Sequence, residues 1–170
     1  FDRHLYPGGA MRLHMLRHLV GDDAFWAATK DYLATYSGKV VETADFRKIM
    51  EKHAGLNLNP FFDQWIRGKG YPKLKAGFKH DAEKHEATLT VEQTQVDEKK
   101  GIGLFRFPLE YAWEDDAGTH TRALELDKER HAVVFRTTGK PKWVCLDPDA
   151  KALFAQEFNP GDDMLRAVLD

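Results

Sequence analysis

Near residue 70 the spacing of apolar residues changes from a helical repeat to strict alternation, so the two parts of the chain must fold by different rules. Recurrence every three or four residues buries one stripe of a helix, whereas alternation buries one face of a strand. One pattern followed by the other, without interleaving, implies an α+β chain of two domains with helices and strands segregated.

From Pro7 to about Gly70 the repeat is helical. Pro7 sets a fixed φ near a helix start, and Ala10, Leu13, Leu16 and Val20 form an apolar stripe until Gly21 offers a stop. Asp22 is expected to cap a second helix with Phe25, Ala28, Tyr32 and Tyr36 on one face, followed by Gly38. Thr43 is expected to cap a third, with Asp45 in its first turn, a core face of Phe46, Ile49, Met50 and His53, and Gly55 at its end. Asn59-Pro60 opens a short helix carrying Phe62, Trp65 and Ile66, and Gly68-Lys69-Gly70 breaks it. Four short helices make a small bundle or one edge of a larger helical domain.

Beyond Tyr71 the period is two. Ala87, Leu89 and Val91 alternate within 85–95, and Phe105, Phe107, Leu109, Tyr111 and Trp113 alternate within 105–113. Segments 123–126, 132–135 and 143–146 continue the series, separated by turn residues at 97–101, 115–118, 127–130 and 138–141. Short strands with no helices between them indicate an antiparallel β-sandwich. Pro108 is expected to place its strand at an edge or a bulge.

Composition excludes more than it selects. Apolar residues make up 42% and charged residues 31% of the 170, which suits a globular chain with a real core. A net charge of −2 points to neither a nucleic-acid nor an anionic-membrane partner, and no apolar run is long enough to span a bilayer. The single cysteine, Cys145, excludes an internal disulfide and fits a reducing compartment without establishing one. The chain has no initiator methionine or signal peptide, opens with Phe1-Asp2-Arg3-His4 directly before a helix signal, and stops at Asp170 within an apolar-periodic segment that includes Val168. Both ends are expected to be cuts from a longer protein.

The residues with chemical potential have simpler explanations. His14 and His18 have the i, i+4 spacing of zinc ligands on a helix, but the position after His14 is Met15, where a metallopeptidase needs a carboxylate base. No third ligand follows at convincing spacing, so no metal site is expected here. Asp22-Asp23, Asp115-Asp116 and Asp162-Asp163 fit caps and turns, and His80 and His85 flank a charged loop that reads as solvated. Ser37, the only serine, has no nucleophile elbow around it. Cys145 on a strand face reads as a buried inert thiol, and Gly101-Ile102-Gly103 lacks the third glycine of a dinucleotide loop. Phe62, Trp65, Trp113 and Trp143 each match the local period and so read as core. Tyr6 precedes Pro7-Gly8-Gly9 at a helix entrance, which could aim its hydroxyl, but from the chemistry alone a packing role is the favoured reading.

An ordered set of blocks changes that balance. Tyr6-Pro-Gly-Gly-Ala10, Leu13-His-Met-Leu-Arg17, Gly21-Asp22 and Phe25 resemble a stretch of the aminopeptidase N family of zinc metallo-aminopeptidases (gluzincins). Thr43-Ala-Asp-Phe46, Glu51, Gly55 and Phe61-Phe-Asp-Gln-Trp65 follow in the family's order, then Gly70-Tyr-Pro72, Gln93 and Phe105-Arg-Phe-Pro-Leu109. Where the family often carries Lys or another polar residue two places after the tyrosine, this chain has Gly8. The resemblance implies that residues 1–70 are the helical end of a thermolysin-like catalytic domain, 71–155 a β-sandwich domain, and 156–170 a linker into a missing C-terminal helical domain. It also implies a parent that removes N-terminal residues from peptides, with zinc held by H-E-x-x-H and a later Glu upstream of Tyr6. The catalytic residue carried over is Tyr6, donating a hydrogen bond to the oxyanion opposite the zinc. The piece alone is then expected to be inactive and to bind no zinc. A non-catalytic scaffold of the same fold, or a sandwich that binds peptide or carbohydrate independently, are the competing expectations.

Overall fold

The computed structural model describes residues 5–167, so the expected segment Phe1–His4 and the apolar position Val168 lie outside the described residues. The chain divides into two compact units, Phe1–Lys69 and Gly70–Asp170.

The first unit holds α1 (Leu5–Val20), α2 (Asp22–Tyr36), α3 (Thr43–Ala54) and α4 (Asn59–Phe62), which runs into a π-helical turn at Asp63–Arg67. Gly21, at φ 83°, turns the chain between α1 and α2 and donates its N–H to the Arg17 carbonyl at 2.8 Å. Gly55 closes α3 in the left-handed region that a glycine enters without a Cβ clash. The helix starts sit one residue away from their expected places. Glu42, not Thr43, is the N-cap of α3, and its N–H donates to Asp45 Oδ2 at 2.9 Å. Asp22 is the first residue of α2 rather than its cap, with its carboxylate bound by Arg17. Asn59 is likewise the first residue of α4, and Asn57 Oδ1 accepts its N–H at 3.0 Å.

Leu16, Phe25, Ala28, Met50, Leu58 and Phe62 form the buried core, with Val20, Phe46, Ile49 and Phe61 packed against it. The stripes read for α2 and α3 therefore face inward, and the Tyr32 and Phe46 rings meet edge to face at 5.2 Å. Two expectations fail. On α1, Ala10 and Leu13 point outward while Met15 and Leu16 are buried and Met11 and Arg12 half-buried. Ile66 is 42% exposed, because the extra residue in the π turn rotates it off the line set by Phe62.

The second unit is a β-sandwich of seven strands: β1 (Lys73–Asp81), β2 (Glu86–Gln93), β3 (Phe107–Asp115), β4 (Gly118–Leu126), β5 (Arg130–Arg136), β6 (Trp143–Leu146) and β7 (Ala155–Phe158). One sheet has the order β5-β2-β1-β7 and the other β4-β3-β6. Inward-facing Ala87, Leu89 and Val91 from β2 and Phe107, Leu109, Tyr111 and Trp113 from β3 supply the interior. Phe135 of β5 bridges the sheets, its ring 4.2 Å from Trp113 and 5.6 Å from Tyr111. The sheets are antiparallel except for β7, which pairs parallel to β1 with Lys73 opposite Ala155. Residues 156–170, expected as a linker, hold most of β7 and the short helix α5 (Asp162–Ala167). Pro108 lies not on an edge strand but on central β3, beyond the reach of β6, which pairs only with Tyr111–Glu114. Its missing N–H therefore costs no second ladder bond.

Two buried glutamines close the sandwich interior where the ladders end. Gln93 Nε2 donates to the carbonyls of Phe105 at 2.8 Å and Lys128 at 3.1 Å, while its Oε1 accepts the Phe105 N–H at 2.9 Å. Gln95 Nε2 donates to Gln93 Oε1 and to the Gly103 carbonyl, and Gln95 Oε1 accepts the Lys73 N–H. Replacing Gln93 by Leu strips three backbone groups of their partners, and stability is expected to drop on the order of 2–4 kcal/mol. Urea unfolding of Gln93→Leu checks this; an unchanged midpoint would show that the network contributes little.

Candidate active-site surface on the first helix

Tyr6 is the second residue of α1 and is 70% exposed. The structure thus places it within the helix rather than in a turn preceding it. Positions 6, 10 and 13 fall on one side of an α-helix. Tyr6, Ala10 and Leu13 therefore share an outward apolar face, whereas Met15, half a turn around, is buried. The residues expected to line the core beside Leu16 thus accompany the candidate catalytic residue instead.

The flanking sides of α1 are tied down. Besides the Leu16 contact with the core, Arg12 donates from Nε to the Trp65 carbonyl and from Nη1 to the Gly8 carbonyl at 3.0 Å. Trp65 is buried and packs near Phe61, with ring centroids 6.4 Å apart. Farther along α1, Arg17 binds Asp22 and lies 5.4 Å from the centre of the Trp26 ring. The Arg17 hydrogen bond holds the Asp22 carboxyl below its ordinary range and raises the guanidinium in return.

His14 and His18 do meet, Nε2 to Nε2 at 3.1 Å with the rings edge to face. Among the described residues no group of three or more His, Cys, Asp or Glu is arranged to hold a metal ion. Between α2 and α3, Asp31 accepts from Lys52 Nζ and His53 Nε2, each at 2.8 Å, and from Thr35. The Lys52 and His53 hydrogen bonds hold its carboxyl far below the ordinary carboxylate range. This cluster joins α2 to α3.

In the sandwich, Asp115 ends β3 at the expected turn and is buried. It accepts from the N–H groups of Ala117 and Thr138, from His120 Nε2 at 3.1 Å and from Trp113 Nε1. Burial opposes its ionisation, but these donors outweigh that effect and hold its pKa at about 2. The signal was in the sequence: Asp115 continues the odd-numbered row Phe107 to Trp113 that faces the interior. His80, expected to be solvated, bonds Thr137 Oγ1 at 3.1 Å. Trp143 is half-buried rather than core, with Nε1 donating to Glu114 at 3.0 Å. Cys145, expected to be buried, is half-buried, and that burial pushes its thiol up. A pocket of about 300 Å³ includes Tyr71, Lys73, Gln95, Asp97, Lys100 and Ile102 in its lining. Its Asp97 pairs with Lys100, and its Gln95 is engaged by Gln93 and the backbone.

No helix among the described residues is long and apolar enough to cross a membrane. Residues 1–65 match the peptidase family M1 domain. The chain is 32% identical over 118 residues to aminopeptidase N of Haemophilus influenzae, covering 68% of this chain and 13% of that protein. It is 31% identical over 113 residues to aminopeptidase A of Gloydius brevicauda, covering 66% of this chain and 11% of that one. The fold matches a crystal structure of Legionella pneumophila aminopeptidase A in complex with aspartic acid, with a TM-score of 0.69 and 17% identity. That match covers 92% of this chain and 18% of the other.

Asp115 and Asp31 both bind a proton less readily folded than unfolded, so each stabilises the fold at neutral pH. The Asp115 contribution is expected to be complete above about pH 4, the ordinary carboxylate value, and lost as pH falls toward about 2. Asp115→Asn is therefore expected to flatten the acid limb of a stability–pH curve measured by denaturant unfolding. An identical slope in both proteins would contradict the assignment.

Proposed function

The chain belongs to the peptidase M1 family, and from that premise we propose that its parent is a zinc-dependent aminopeptidase that removes N-terminal residues from peptides. In this reading residues 1–70 complete the wall of the active-site cleft, 71–155 form a β-sandwich that bridges to a further helical domain, and 156–170 are the linker into that domain. The zinc ligands and the general base belong to parts of the parent outside this chain. This chain contributes Tyr6.

The observation that supports this role is the placement of Tyr6 within the family-matched segment, outward on a helix whose other side is anchored. A phenol is protonated at neutral pH and donates one hydrogen bond. Aimed at the scissile carbonyl, it would stabilise the oxyanion that develops as the carbon becomes tetrahedral. Such a donor accelerates turnover only if its position is set before the charge forms. An α-helix locked from behind meets that condition better than a mobile loop. Ala10 and Leu13 lie on the same exposed face.

Tyr6→Phe in the full-length parent is expected to lower kcat about a hundred- to a thousandfold, with KM for an aminoacyl anilide and the zinc content unchanged. Unaltered turnover would remove Tyr6 from the mechanism. The 170-residue chain alone is expected to leave the anilide uncleaved and to retain no stoichiometric zinc after dialysis. Zinc retention at one equivalent would contradict the placement of the ligands elsewhere.

A further inference from the structure

We propose that Arg12 is a positioning residue for Tyr6, its guanidinium tying the opening turn of α1 to the buried Trp65 of the π-helical turn at Asp63–Arg67. The inference rests on the catalytic reading of Tyr6 above.

The opening turn needs such a tie. The first N–H groups of a helix have no partner within it, and here the sequence that follows Tyr6 is Pro7-Gly8-Gly9. Both glycines favour the unfolded chain over the helix, each by about 1 kcal/mol relative to Ala. In this stretch Tyr6, Pro7 and Ala10 are exposed, and Gly8 and Gly9 carry no side chain. The nearest core residues of α1, Met15 and Leu16, lie more than two turns farther on.

Arg12 spans that gap. Its Nη1 reaches back one turn to the Gly8 carbonyl, two residues from Tyr6, while its Nε donates to the Trp65 carbonyl 53 positions away in sequence. Trp65 is 4% exposed and its ring lies near that of Phe61, so the far end of the tie is a buried residue. The rigid fork of a guanidinium can hold two carbonyls at set angles, which a single ammonium cannot. Gly8 is the other half of the device. A Cβ on it would stand 3.0 Å from Arg12 Nη1, so the missing side chain leaves room for the guanidinium to lie against the backbone.

In the full-length parent Arg12→Ala is expected to lower kcat about tenfold while KM and zinc content hold, because displacing a catalytic group by about 1 Å can cost up to a hundredfold. The discriminating measurement is the double variant. If Arg12 acts through Tyr6, Arg12→Ala in a Tyr6→Phe background costs less than about twofold more. Arg12→Lys, which keeps the stem and the charge but cannot span both carbonyls, is expected to show the same non-additivity and serves if the alanine variant does not fold. Additive losses, or full kcat in Arg12→Ala or Arg12→Lys with Tyr6 intact, would overturn the role of Arg12 and leave that of Tyr6 standing. Full kcat in Tyr6→Phe itself would overturn both.

Discussion

The packing of one side of α1 into the helical core determines what its other side can present. Propensity alone would not hold this helix, because Pro7, Gly8 and Gly9 weaken its start. Burial compensates: Leu16 is 1% exposed within a cluster that includes Phe25, Met50 and Phe62, and each such side chain contributes about 1.5–3 kcal/mol. With α1 anchored in that cluster by Leu16, the side chains of Tyr6, Ala10 and Leu13 are left exposed. Leu13 is 45% exposed, an apolar surface that the helical unit itself leaves uncovered. The functional proposal depends on that geometry more than on any single hydrogen bond.

The sandwich solves a different problem with buried polar side chains. Where strands end or the chain crosses between sheets, backbone groups leave the ladders and need other partners. Gln93 and Gln95 take up those near Gly103, Phe105 and Lys128, while Asp115 takes up those of Ala117 and Thr138. Both sets are interior and satisfied, so they specify which loop docks where at little net energetic cost. Phe135, touching Trp113 and Tyr111, then joins the two sheets through apolar contact.

Much of this architecture was legible because most elements have one buried face. The stripe Phe25, Ala28, Tyr32 and Tyr36 and the row Phe105 to Trp113 have the period of the element they form, and the structure turns them inward. Legibility failed where a side chain obeys a longer-range demand. Ala10 and Leu13 are apolar without being core. Ile66 leaves its expected face because the helix widens beneath it. Strand β7 has no buried alternation to betray it, since its pairing with β1 is made by the backbone. Strand β1 was overlooked among its lysines, although Leu74 on it is buried opposite Gln93. The candidate site was legible only as a family pattern around Tyr6; nothing in the spacing of residues pointed to the Arg12 contact with Trp65, which joins segments 53 positions apart.

The central claim is that the Tyr6 phenol recognises the oxyanion of the tetrahedral state and not the planar substrate. Inhibition constants for a dipeptide phosphinate, which presents a tetrahedral centre with charged oxygens, and for a free amino acid measure that distinction in the parent and its Tyr6→Phe variant. The account predicts that the variant loses about a hundredfold in affinity for the phosphinate and keeps that for the amino acid within about twofold. Equal losses for the two ligands, or none for either, would contradict it.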